Sequence, residues 1–296
     1  EGTYFIGTKF IYSIEEYAND RGIQSGFNHI LFRYARFLKP EEVIFDYVYL
    51  GRVSFINANI ERVNFNNVIW KEQNGRYIVF DEELLKIKAN KKLQQKIIKG
   101  KKEARVAITV VLMDPDITLA NVLAVYRKLR ENYDYNLRYV ESGKFFISEM
   151  EIRRQYREIG IIIREEEKTK QGKKETRYLV IRICTYNSWF RRNLSILGIY
   201  KHLCTYGENY TKPIIWTITT ILLFTILRLT PNMIYGNAAT TININTILKA
   251  LEKSIKTYLQ INGTTGIDLI ERITAIPILG TLILSLRRKL ERRFRH

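Results

Sequence analysis

The chain has 296 residues and a formal charge of +18. That length bounds it at one or two domains beside any membrane segments, and so large a basic excess points to anionic lipid or nucleic acid as a partner. Two cysteines (Cys184, Cys204) and three histidines (His29, His202, His296) are too few and too scattered for a disulfide framework or a metal shell, so no metal or other cofactor is expected.

The opening EGTYFIGTKFIYSIEEY places acids early and has no clean apolar core, so no signal peptide is expected. Residues 1–42 form a mixed N-terminal segment in which Ile11–Asp20 and Phe27–Phe37 read as short helices. From Val43 the pattern changes to VIFDY, VYLGR, VSFIN, ANIER, VNFNN, VIWKE, a period of five over residues 43–72. Its first slot holds Val43, Val48, Val53, Ala58, Val63 and Val68; its third holds Phe45, Leu50, Phe55, Ile60, Phe65 and Trp70. Neither a helix nor a strand generates that period. A fixed short repeat implies a solenoid whose units bury residues against their neighbours, and the alternative is an antiparallel meander with an accidental period. A solenoid has open ends, and residues 73–118 supply the expected cap. Asp81–Ile98 reads as a helix with acids in its first turn and lysines towards its end. Val106–Met113 reads as a strand or buried segment.

Leu119–Arg154 carries two helical stripes. Leu119, Val122, Leu123, Tyr126, Leu129 and Tyr133 form the first; Tyr139, Val140, Gly143, Phe146, Ile147 and Met150 form the second. Two antiparallel helices meeting near Tyr135-Asn136 would bury both, giving a helical hairpin over residues 119–158. Glu149 and Arg153 stand in the favourable i,i+4 order, and Arg127 can reach Glu149 or Glu151 across the hairpin. No histidine or nucleophile accompanies them, so the charges read as a structural network and no enzyme is expected. Residues 164–177, REEEKTKQGKKETR, read as a solvated loop. The rest of 159–212 interleaves Trp189, Phe190, Tyr200, Tyr206 and Tyr210 with Arg191, Arg192, Lys201 and Lys212. Such a segment suits a lipid surface or RNA, and the apolar run that follows favours lipid, so no nucleic acid is expected.

That run, Thr211–Leu229, is free of charge from Pro213 to Leu227 and reads as a first transmembrane helix over 213–229. Lys212 and Arg228 are expected to snorkel to opposite headgroup layers. A second span is read over 269–286. Its uncharged run, Ile273–Leu286, is short and contains Pro277, so a re-entrant or surface-lying hairpin competes with a full crossing. The linker, 230–268, holds a helical pattern over Thr246–Tyr258 and a Gly/Thr loop of Asn262, Gly263, Thr264, Thr265 and Gly266. From Glu151 to Lys212 there are fourteen bases against seven acids, and the tail 287–296 has six against one. The positive-inside rule then keeps both termini cytoplasmic at the cell membrane.

The five-residue blocks, best represented by Ala58-Asn59-Ile60-Glu61-Arg62, resemble the pentapeptide-repeat family. Tyr126-Arg127-Lys128-Leu129-Arg130, the Gly143–Arg154 segment, Tyr206-Gly207-Glu208 and Ile270-Glu271-Arg272 resemble its membrane-associated members. The resemblance implies an α+β membrane protein: a short right-handed quadrilateral β-helix, a cytoplasmic helical hairpin and a C-terminal two-helix transmembrane, potassium-channel-like pore domain. It further implies a homo-oligomer, with a tetramer as the expected count, conducting a monovalent cation through the Asn262–Gly266 loop, which Glu271 would brace. The loop lacks Gly-Tyr-Gly, which removes the basis for potassium selectivity. The alternative is a non-conducting, membrane-tethered scaffold or protein-interaction module, and either way anionic headgroups are the expected lipid partner.

Overall fold

The computed structural model describes residues 4–5, 9–11, 30–90, 92, 114–168, 174–235, 244–261 and 266–294. The chain divides into two compact units, Glu1–Arg192 and Asn193–His296.

In the first unit the strands are very short: β1 Tyr4–Phe5, β2 Lys9–Ile11, β3 Ile30–Leu31, β4 Arg36–Phe37, β5 Ile44–Asp46, β6 Val53–Ser54, β7 Asn64–Asn66, β8 Lys71–Gln73 and β9 Arg76–Ile78. They pair as separate sheets, β1-β4, β2-β5-β7 and β3-β6 in parallel and β8-β9 antiparallel. This corrects the quadrilateral β-helix. The offset between paired residues is not constant, since Lys9 stands opposite Ile44, Ile30 opposite Val53, and Ile44 opposite Asn64. Among the described residues no ladder propagates into a closed, repeating sheet, and Tyr47, Asn57 and Asn67 take positive φ between strands. The fold is a mixed α/β domain with isolated small sheets. Ile30–Leu31 and Arg36–Phe37 are strands, where the sequence suggested a helix.

The five-residue period still marks which side chains face inward. Val53, Phe55, Ala58, Ile60, Val63, Phe65 and Trp70 are buried, and Val68 packs against them partly exposed. Their rings interlock, with Phe45 and Phe65 stacked at 5.4 Å, Phe32 and Phe55 stacked at 5.9 Å, and Trp70 edge-on to Phe145 at 5.1 Å. Asn59 fastens the adjoining backbone: its Oδ1 accepts from the Phe37 amide at 2.7 Å and its Nδ2 donates to the Phe37 carbonyl at 3.0 Å.

Three helices cover this core: α1 Phe80–Ala89, α2 Leu119–Tyr135 and α3 Tyr139–Gln155. Thr118 caps α2 by accepting from the Asn121 amide. Val122, Tyr126, Leu129 and Tyr133 of its apolar stripe are buried. Tyr133 accepts a hydrogen bond from Trp70 Nε1 at 2.8 Å, and Tyr126 donates to Glu82 at 2.6 Å while accepting from the Val79 amide at 3.1 Å. Of the expected capping helix, residues 93–98 lie outside the described residues, as does all of Val106–Met113.

Of the charged run at 164–177, residues 164–168 and 174–177 are strand, and 169–173 lie outside the described residues. Strands β10 Tyr156–Lys168 and β11 Lys174–Tyr186 form one antiparallel ladder from Tyr156↔Tyr186 to Lys168↔Lys174. Ile159 stands opposite Ile183, and pairing continues into the charged half, where Glu165 stands opposite Arg177.

Two adjacent carboxylates on α1 are buried with opposite consequences. Glu82 meets Arg76 through two hydrogen bonds of 2.7 Å and Lys86 at 2.8 Å. Burial opposes its charge, but these cations win and hold its pKa below the usual value. Asp81 accepts from the Ser54 hydroxyl and from the Phe55 amide at 3.0 Å, yet burial pushes its pKa up to about 6. Glu82 therefore adds stability above its ordinary pKa that fades on acidification. Asp81 adds stability present below its ordinary value of 3.8, lost as the pH rises through about 6.

Two outcomes follow for the full chain unfolded by denaturant in detergent. Phe65→Ala should cost about 3–5 kcal/mol as a cavity, and Asn59→Ala about 1–3 kcal/mol for stranded backbone groups. Asp81→Asn keeps the shape but removes the titration. Between pH 3 and 7 the wild type should lose about 3 kcal/mol relative to that variant, and parallel pH profiles would contradict the assignment.

Candidate functional site

The second unit contains α4 Ile196–Cys204, α5 Thr211–Tyr235, α6 Ile244–Tyr258 and α7 Gly266–Phe294. Two stretches are long and apolar enough to cross a membrane, Thr211–Thr230 and Gly266–Glu291. The second helix runs unbroken through Pro277, so it is longer than the short uncharged run suggested. Hydroxyls on these helices bond back to their own backbone: Thr219 to the Ile215 carbonyl, Thr220 to Trp216, Thr225 to Ile221 and Ser285 to Thr281, all at 2.7–2.8 Å.

Where α5, α6 and α7 meet, they bury a charged cluster. Arg228 of α5 donates from Nη2 to Asp268 Oδ1 at 2.7 Å and to Glu271 Oε2 at 2.6 Å, both on α7. The side chains of Arg228, Asp268 and Glu271 are 8%, 1% and 0% exposed, so no charge here is solvated by bulk water. On α6, Ser254 donates to Glu271 Oε1, and Thr257 Oγ1 accepts from Arg228 at 3.4 Å. Lys253 reaches Asp268 at 3.7 Å from a half-exposed position, which balances the formal charges two against two. Arg228 Nε and Nη1 are buried with no hydrogen-bond partner among the described residues. Nearby, Thr217 on α5 and Tyr258 on α6 share a hydrogen bond of 3.0 Å.

The sequence placed Glu271 as a brace for the Gly/Thr loop, paired with loop amides, Lys256 or Arg272. Among the described residues Glu271 is met by Arg228 and Ser254, and Lys256 pairs with Glu252 at 2.5 Å. Asn262, Gly263, Thr264 and Thr265 lie outside the described residues, and Gly266 is the first residue of α7. Arg228 does not snorkel; it turns inward. Sequence reasoning missed it and Asp268, although a lone arginine near the end of one apolar helix and two acids three positions apart on another were the available signal. No pore architecture is present among the described residues, which corrects the ion-channel reading.

A second polar junction lies beside α4. Arg288 Nη1 donates to the Tyr206 carbonyl at 2.6 Å, and Lys289 lies over the Tyr210 ring at 3.7 Å. Gly207 sits at φ +85°, and a Cβ there would fall 2.7 Å from the Tyr200 hydroxyl. A side chain is thus excluded on both conformational and steric grounds. No group of histidine, cysteine and carboxylate side chains that could hold a metal occurs among the described residues.

No family model matches the chain, so the resemblance to pentapeptide-repeat proteins does not amount to membership, and no solved structure matches it. The chain is similar to an uncharacterized protein of Methanocaldococcus jannaschii, 24% identical over 253 residues. That match takes in 82% of this chain but spans only about half, 46%, of the relative.

Arg228→Leu would leave two buried carboxylates facing each other, whereas Glu271→Gln leaves Arg228 on Asp268. Breaking a buried pair costs about 3–5 kcal/mol, so the first variant should unfold at markedly lower temperature in detergent than the second. Equal losses would mean that Arg228 does not serve both acids.

Proposed function

We propose that the chain is a membrane-anchored, non-conducting interaction module. Its C-terminal unit sits in the bilayer through α5 and α7, and its N-terminal unit offers a protein-binding surface on the cytoplasmic side. One observation carries the anchoring: in the C-terminal unit many large aliphatic side chains face outward around a buried polar cluster. Ile215, Ile218, Leu222 and Ile226 of α5 and Ile270, Ile273, Ile276 and Ile283 of α7 are exposed, while Ser254, Thr257, Asp268 and Glu271 are buried. Only 22% and 28% of the two apolar stretches are buried, whereas the core helix of a soluble protein would be mostly covered. Hydrocarbon is the environment that removes the cost of this arrangement.

The flanking bases support an orientation with both ends cytoplasmic. In a background lacking Cys184 and Cys204, cysteines at positions 174 and 293 should react with an impermeant maleimide only from the cytoplasmic side, and one at 237 only from the other. Labelling of position 237 from the cytoplasm would show that the helices do not cross. Release of the chain by alkaline carbonate would refute anchoring altogether.

A further inference from the structure

Glu149 on α3 is nearly buried, with 3% of its side chain exposed, and three guanidinium groups converge on it. Arg127 Nε lies at 3.0 Å and Arg130 Nη1 at 2.7 Å, both from α2, and Arg153 Nη2 at 2.6 Å from the next turn of α3. One such partner neutralises a carboxylate. Three positive charges against one negative leave a surplus of two. Each arginine spends a single nitrogen on Glu149, and a guanidinium has about five N–H donors. The remaining edges reach water, since the three side chains are 49%, 26% and 38% exposed in chain order. Arg130 is further held over the Phe146 ring at 5.7 Å. The neighbouring Lys128 is already committed to Glu61 and the Ala58 carbonyl.

Glu149 therefore positions three forks and leaves their outer edges open. A fixed guanidinium fork pairs with a carboxylate through parallel hydrogen bonds, and fixing it beforehand lowers the ordering cost of binding. The forks are spread over two helices, which suits several anionic groups along one extended segment better than a single headgroup. We infer that this arginine cluster is the docking point for an acidic segment of a partner protein, whose carboxylates pair with Arg127, Arg130 and Arg153. The inference rests on the interaction-module reading and supplies the partner's chemistry.

The test uses the full chain in a non-ionic detergent and a fluorescein-labelled hexaglutamate peptide, read by anisotropy at low salt. Saturable binding is expected. Arg127→Gln and Arg153→Gln each leave Glu149 two arginines and should each weaken binding about fivefold, the scale of one exposed ion pair. Arg287→Gln removes the same charge from an exposed position on α7 and should leave binding unchanged. Absence of saturable binding, no loss in the first two variants, or an equal loss in the third would overturn the inference. Should Arg153→Gln prove unstable, Arg127→Lys decides: it keeps the charge but not the fork, so weakened binding supports the cluster and unchanged binding refutes it. If phosphatidylglycerol vesicles, and not the peptide, lose affinity in Arg127→Gln, the occupant is a lipid surface and the partner assignment falls. Anchoring is read separately by alkaline extraction, so its failure leaves the anisotropy result standing.

Discussion

Short strands expose backbone carbonyls that no ladder satisfies, and the N-terminal unit depends on how those carbonyls are met. The donors come from α2 and the turn after it. Lys128 Nζ donates to the Ala58 carbonyl at 2.7 Å, Asn132 Nδ2 to Ile60 and Val63 at 2.9 and 2.7 Å, and Arg138 Nη1 to Phe65 at 2.5 Å. Each acceptor lies in the stretch with the five-residue period. A buried carbonyl left unpaired costs about 1–3 kcal/mol, so α2 is as necessary to this stretch as the stretch's own side chains. From the other direction, Asp81 on α1 takes the Ser54 hydroxyl and the Phe55 amide. The aromatic core sits between these two sets of polar contacts, and its burial would not be compatible with unmet backbone groups around it.

The C-terminal unit meets the same requirement differently. Its backbone is satisfied within long helices, and its hydroxyls fold back on the preceding turn. What remains is charge. Arg228 is buried because two carboxylates and a threonine receive it, and the carboxylates are buried because Arg228, Ser254 and Lys253 receive them. No member is tolerable alone. The cluster fixes the relative rotation of α5, α6 and α7, since Asp268 and Glu271 reach one guanidinium nitrogen only when their shared face of α7 is turned towards α5. In an apolar solvent, where the hydrophobic effect cannot drive helix association, such polar contacts carry orientation.

What the sequence made legible was periodicity within single elements. The stripe from Val122 to Tyr133 is the face that α2 buries, and the five-residue slots are the inward positions of the first core. Pairing between elements was not legible. The closed β-helix fails because strand partners come from Lys9–Ile11 and Ile30–Leu31, outside the repeat and out of its register. The loop reading of 164–177 fails at 164–168 and 174–177, where composition favours solvent but the ladder that begins at Tyr156 and Tyr186 continues. Glu271 was singled out as a loop brace, but its partner Arg228 lies forty-three positions earlier in the chain, where it looked like an ordinary headgroup anchor. Arg127 and Glu149 were placed together because both sit on strongly periodic helices of one hairpin, so the spacing alone set their faces.

The two units differ in how much large aliphatic surface they leave exposed. The first has a core of phenylalanines, tyrosines and valines beneath a charged surface, as water requires. In the second, many isoleucines and leucines lie outside while Arg228, Asp268 and Glu271 lie within. On α6 the contrast occurs inside one helix: Ile244, Leu248 and Ile255 are exposed, while Ser254 and Thr257 are fully buried. A helix in water would rotate to bury the first set, because each large aliphatic side chain left exposed forgoes about 1.5–3 kcal/mol. Here Ser254 and Thr257 are held inside by Glu271 and Arg228. Exposed aliphatic faces around a buried polar cluster are consistent with a membrane location for the two apolar helices.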